Sequence, residues 1–168
     1  MPYTRHFQLT DDLIQHLDPV LMSLHDPWIE TRYTGFLAVS SVTVLELALK
    51  TIFCDFGARK HVVLGTFTSS YFEKINGRIA LGVITKEYIP RFGEKYLQRF
   101  ERQLKALENT TLRSNGYSLK SSYGNLVAWR HAFAHEGVMP PNASYAEVKR
   151  GYESGKHIMN CLATSMHR

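Results

Sequence analysis

The sequence predicts an all-α fold, a bundle of four to six helices in one domain covering residues 1–168, and three observations lead there. Apolar residues recur three and four apart in several long segments, most clearly in Phe92, Tyr96, Phe100, Leu104 and Leu107. The composition, 44% apolar and 21% charged, is that of a soluble domain long enough to bury a real core. No internal repeat, low-complexity tract or linker divides the chain.

In order along the chain, Thr10-Asp11-Asp12 is expected to cap a first helix whose stripe is Leu13, Ile14, Leu17, Leu21 and Leu24. Pro19 inside that pattern predicts a kink or break, and Asp26-Pro27 an end. Glu30 to Phe56 is the most apolar segment. It has the makings of a membrane span, but Ser40, Ser41, Thr43, Glu46 and Lys50 interrupt it, so the expectation is the central helix of a bundle and no membrane. Glu46 has two readings: an intrahelical pair with Lys50, or a support that meets Arg130 and fixes its direction. From His61 to Ile89 the residues Val62, Val63, Thr66, Phe67 and Thr68 suit a strand as well as a helix; helix is consistent with the neighbours. Tyr88 to Glu108 follows as a helix with Arg91, Lys95, Arg99 and Arg102 beside its stripe, either a solvated face or a groove for RNA phosphates. Asn109 to Ser118, with Asn115-Gly116, reads as a loop, and Tyr145 to Met166 as a last amphipathic helix.

The stretch that carries chemistry is Trp129-Arg130-His131-Ala132-Phe133-Ala134-His135-Glu136-Gly137. On a helix, Tyr123, Leu126, Val127, Arg130 and Ala134 share a stripe, so Arg130 stands where a leucine is expected. A guanidinium placed inward costs several kcal/mol unless acceptors meet it. His131 and His135, four apart, can serve one site, and Gly137 followed by Pro140-Pro141 stops the helix.

These residues resemble the mark of the HEPN domains, small helical ribonucleases and RNA-binding modules: an Arg, a polar residue after it, and a His four to six residues further on. Arg130, His131 and His135 match, with Leu126-Val127 before the Arg and a Gly and a proline loop after the His. The context from Leu119 to Met159 is similar to the RiboL-PSP branch, associated with prokaryotic restriction and phage-defence loci. The resemblance implies an antiparallel HEPN-like bundle, a homodimer with one composite cleft, and RNA as substrate. It also implies roles: His135 as acid or base, Arg130 as phosphate clamp, His131 as orienting or RNA-contacting group. It implies a toxin or defence effector with a cognate antitoxin or defence-system partner. HEPN toxins paired with a nucleotidyltransferase antitoxin often carry a Tyr two residues after the His; position 137 is Gly, so that mode of regulation is not implied.

The chemistry is self-consistent. RNA brings its own nucleophile, the 2′-hydroxyl, so a metal-independent endoribonuclease needs only a base, an acid and positive charge on the phosphate. Imidazole suits either proton-transfer role near neutral pH, and guanidinium holds two phosphate oxygens at once. Competing readings are half of a zinc site without an evident third ligand, histidines that only bond near a helix end, and an inactive HEPN-like dimerisation module that binds RNA or protein. No phosphate loop, paired carboxylates or Cys-His arrangement points to another enzyme class or a cofactor. Net charge is +5, and residues 113–168 hold seven basic and three acidic side chains, a local excess that favours a polyanion. Cys54 and Cys161 lack metal-ligand spacing and read as buried reduced thiols, and the start shows no apolar signal region, so a cytoplasmic location is expected.

Overall fold

A helix as apolar as α2 (Pro27–Lys60) needs other elements to cover it, and most of its apolar residues are buried, although Phe36 and Leu47 stay exposed. Asp26 starts it by accepting hydrogen bonds from the amides of Trp28 and Ile29, with Pro27 at the first helical position. A computed structural model describes residues 2–23 and 25–167; Leu24, assigned above to the first stripe, lies outside the described residues. Around α2 are a 3-10 turn (Pro2–Phe7), α1 (Gln8–Ser23), α3 (Val62–Phe72), α6 (Leu119–Glu136) and α7 (Tyr145–Met166). Between α3 and α6 come α4 (Leu81–Val83), which continues through a π-type turn (Ile84–Tyr88) and a 3-10 turn (Ile89–Phe92), and α5 (Glu94–Asn115). The fold is all-α, with seven α-helices and no strand among the described residues, slightly above the expected four to six.

Length and apolar composition alone would let α2 cross a bilayer, yet 56% of its most apolar stretch is buried inside the bundle. Leu37, Leu45, Leu49 and Phe53 are wholly inaccessible. Phe53 stacks on Phe72 of α3 and on Phe92, with ring centroids 4.5 and 5.2 Å apart, and meets Tyr88 edge-on. This aromatic cluster ties the ambiguous stretch to the core. His61 to Ile89 is therefore helix at both ends, as read from sequence, but a loop at 73–80 divides it.

Three boundaries differ from expectation for physical reasons. The first helix starts at Gln8 rather than at Thr10, because Thr10 is buried with its hydroxyl 2.8 Å from that of Ser40, while Asp11 accepts from Tyr152 and Lys156 of α7. The helix also runs through Pro19 to Ser23. Helix α5 begins at Glu94 and continues through Asn115, where the left-handed Gly116 ends it; Thr111 is buried and Glu108 accepts from Ser118 Oγ and the Lys120 amide, clamping α5 to the start of α6. Helix α7 has the bounds read from the sequence, and Ser144 caps it.

Candidate functional site

Ser118 starts α6 by accepting from the Ser121 amide, and Gly137, at φ 69°, ends it where the sequence placed the stop. The buried face is Leu119, Ser122, Tyr123, Leu126 and Trp129. That face is rotated from the expected stripe: Val127 and Arg130 lie at its margin, half-buried, and Ala134 is exposed. Arg130 thus looks sideways, onto the 73–80 loop. The last turn of α6 is held against α2 by Phe133, whose ring fills the space over Gly35; a Cβ there would lie 2.2 Å from the ring. Arg32 of α2 donates to the Gly137 carbonyl at 2.9 Å and lies over the Trp28 ring. The end of α6 that carries the motif is fixed from two sides.

The loop facing Arg130 is fixed as well. Glu46 accepts a hydrogen bond from the Gly77 amide and pairs with Lys50 at 2.7 Å, while Lys50 also donates to the Glu73 carbonyl. Tyr88 donates to the Arg78 carbonyl at 2.9 Å and Tyr123, from α6, to the Ile79 carbonyl at 2.6 Å. Burial pushes the Tyr88 hydroxyl up to about 12 and raises that of Tyr123 strongly, which keeps both as donors. Gly77 has φ +74°, a conformation that side chains rarely adopt, and a Cβ on it would sit 3.0 Å from Nη1 of Arg130. The guanidinium rests on bare backbone.

Glu46 therefore does not meet Arg130. It makes the expected pair with Lys50 and, through the Gly77 amide, shapes the surface against which Arg130 lies. Among the described residues Arg130 has no hydrogen bond or ion pair, and its Nε is buried without a partner. An unmet buried donor costs about 1–3 kcal/mol. The acceptors for this guanidinium are not in the chain's described residues.

His131 and His135 are exposed, one turn apart, with ring centroids 4.4 Å from each other and planes tilted by 49°. Neither has a hydrogen-bond partner among the described residues, and no group of three or more His, Cys, Asp or Glu that could hold a metal occurs among them. Part of the basic excess of the last third is balanced from outside it, since Lys149 pairs with Asp18 and Lys156 with Asp11; Arg150 with Glu147 and Lys156 with Glu153 are pairs within that third. Arg130 and Arg32, neither in an ion pair among the described residues, are cations at this end of α6.

Sequence reasoning brought Arg130, His131 and His135 to one helix end, as the structure has them. It missed Gly77, Tyr88 and Tyr123. The Asn76-Gly77 dipeptide, a turn signal inside an apolar stretch, was the available cue.

An all-α domain that displays an arginine and two histidines at the end of one helix has the architecture of a HEPN-type domain. A family model described as RiboL-PSP-HEPN matches residues 5–167, nearly the whole chain, and the chain belongs to that family. Membership places it among domains generally associated with ribonuclease or other RNA-related function. No curated protein and no solved structure matches it.

Proposed function

We propose that the protein is a metal-independent endoribonuclease whose working site is composed by two copies of the Arg130-to-His135 segment in a homodimer. The observation that carries this reading is Arg130, held on the bare backbone of Gly77 with no acceptor, beside two exposed imidazoles. A phosphodiester supplies the missing acceptors. One imidazole takes the proton of the 2′-hydroxyl as that oxygen attacks phosphorus, and the bond to the 5′-oxygen breaks. A second imidazole protonates the leaving oxygen, leaving a 2′,3′-cyclic phosphate and a 5′-hydroxyl. His135 takes one proton-transfer role, the partner protomer supplies the other, Arg130 stabilises the charge that grows on the phosphate, and His131 orients or contacts RNA.

The biological role that fits is a cytoplasmic toxin or phage-defence effector restrained by a cognate antitoxin or defence-system partner. Loss of cleavage of unstructured RNA in Arg130→Ala, with the parent active, tests the assignment of Arg130. Specific activity that falls on dilution through the dimer dissociation range tests the composite site; undiminished activity in a protein that light scattering shows to be monomeric rules it out. The second reading, an inactive RNA-binding or protein-interaction dimerisation module, is favoured by one observation: no hydrogen bond in the described chain orients either imidazole. Tight RNA binding without cleavage decides for it.

A further inference from the structure

Beside Arg130 lies a recess of about 440 Å³, within the ~300–1,000 Å³ range of small-molecule sites. One wall is α6, through Gly124, Val127 and Ala128; the other is Gly77, Ala80 and Leu81. Arg130 and His131 also line it, and no carboxylate does. Positions 124, 127, 128 and 131 recur three and four apart, so they share one face of α6, and seven residues at ~1.5 Å each make that face about 10 Å long. The recess is thus cationic at its Arg130 end and apolar along its length, with glycine or alanine at four of its eight lining positions.

The wall opposite α6 is built rather than incidental. Its backbone is fixed by Glu46 at Gly77, Tyr88 at Arg78 and Tyr123 at Ile79, three side chains from two helices and the π-type turn. Inorganic phosphate uses only the cationic end. A ligand that uses both ends carries a phosphate and a flat, largely apolar body, which is a nucleotide.

We propose that this recess is a nucleoside subsite, which takes the base and ribose of the nucleotide whose phosphate Arg130 holds, with Gly124 and Ala128 as the residues that keep it open. The inference rests on the reading of Arg130 as a phosphate clamp and adds where the adjoining nucleoside goes. Gly124 offers a clean test, because a Cβ there meets nothing within 4 Å. Leucine at this exposed helical position projects into the recess, and its helix propensity exceeds that of glycine.

The experiment measures binding of the four ribonucleoside 3′-monophosphates and of inorganic phosphate to the full-length protein by calorimetry. The parent is expected to bind at least one nucleotide about tenfold or more tighter than inorganic phosphate. Gly124→Leu loses that advantage while its affinity for inorganic phosphate stays; Arg130→Ala loses both. Ala128→Leu, one turn along the same face, repeats the test should Gly124→Leu not fold, with circular dichroism as the check. Equal affinity for phosphate and every nucleotide, no nucleotide binding in the millimolar range, or unchanged nucleotide binding in a folded filled variant overturns the proposal. So does a filled variant that alters only dimerisation, since the recess then seats a second copy. Failure of the two readings is distinguishable: a protein that binds nucleotides in this pattern but cuts no RNA loses the ribonuclease assignment alone. One that cuts RNA without preferring nucleotides to phosphate loses the subsite alone.

Discussion

Replacing Gly77 by alanine separates backbone strain from disturbance of Arg130. At φ +74° an alanine costs about 1–2 kcal/mol, offset by roughly 0.5–1 kcal/mol because the unfolded chain loses freedom. The net loss is about 1 kcal/mol, which lowers Tm by about 2–4 °C in a domain of this size. The added Cβ would also lie 3.0 Å from Nη1 and 3.4 Å from Nη2 of Arg130, so the guanidinium must shift. The shift needed is a few tenths of an ångström, a fraction of the ~1 Å misplacement that costs about 100-fold, so cleavage falls by roughly tenfold or less. Gly116→Ala is the control: its φ is +72°, the same strain, and a Cβ there meets nothing within 4 Å. Single-turnover cleavage and thermal unfolding of both variants should show similar losses of stability but a loss of activity in Gly77→Ala only. Equal activity in the two variants, or an equal loss in both, refutes the reasoning that Gly77 exists to seat Arg130.

Glu46→Ala, which strips the Gly77 amide of its acceptor, should lose about 2 kcal/mol and much of the activity, whereas Glu46→Gln keeps an acceptor and recovers part of both; unfolding and cleavage assays read this. His135→Ala should abolish turnover with RNA affinity nearly intact in a filter-binding assay, and loss of folding instead would mark His135 as structural. Burial, with a smaller contribution from Arg5, lowers the pKa of His6, whose Nε2 lies 2.8 Å from Thr51 Oγ1. Below ~6.5 the unfolded chain then binds more protons at this site than the folded one, so its stabilisation is full above that pH and is lost as pH falls through the lowered folded value. The drop in Tm between neutral and mildly acidic buffer should shrink in His6→Gln.

Local signals made the motif, the end of α6 and both ends of α7 legible. Gly137 stops α6 because glycine alone takes the left-handed turn cheaply, and α7 shows its bounds through a serine cap and a regular amphipathic stripe. The support for Arg130 was not legible, because it is assembled from Glu46, Gly77 and Tyr123, residues that are remote in sequence and meet only through packing. The face of α6 was misjudged by a small rotation for the same reason: Leu126 packs beside Gly151 of α7 and Trp129 is buried, and this packing, not the stripe itself, decides which residues lie at the margin. Charge counting misled in another way. Lys149 and Lys156 belong to the basic third of the chain, but α1 brings Asp18 and Asp11 to them.

The chemistry of the RNA ends is the most direct test of the central claim. After incubation of the purified protein with unstructured RNA in chelator, mass spectrometry of the fragments should find 2′,3′-cyclic phosphate and 5′-hydroxyl ends. These should be absent with Arg130→Ala and absent when the 2′-hydroxyls of the substrate are replaced by hydrogen. Undiminished cleavage of that deoxy substrate, or 5′-phosphate ends on the ribose substrate, contradicts a site in which Arg130 and the histidines act on the RNA's own nucleophile.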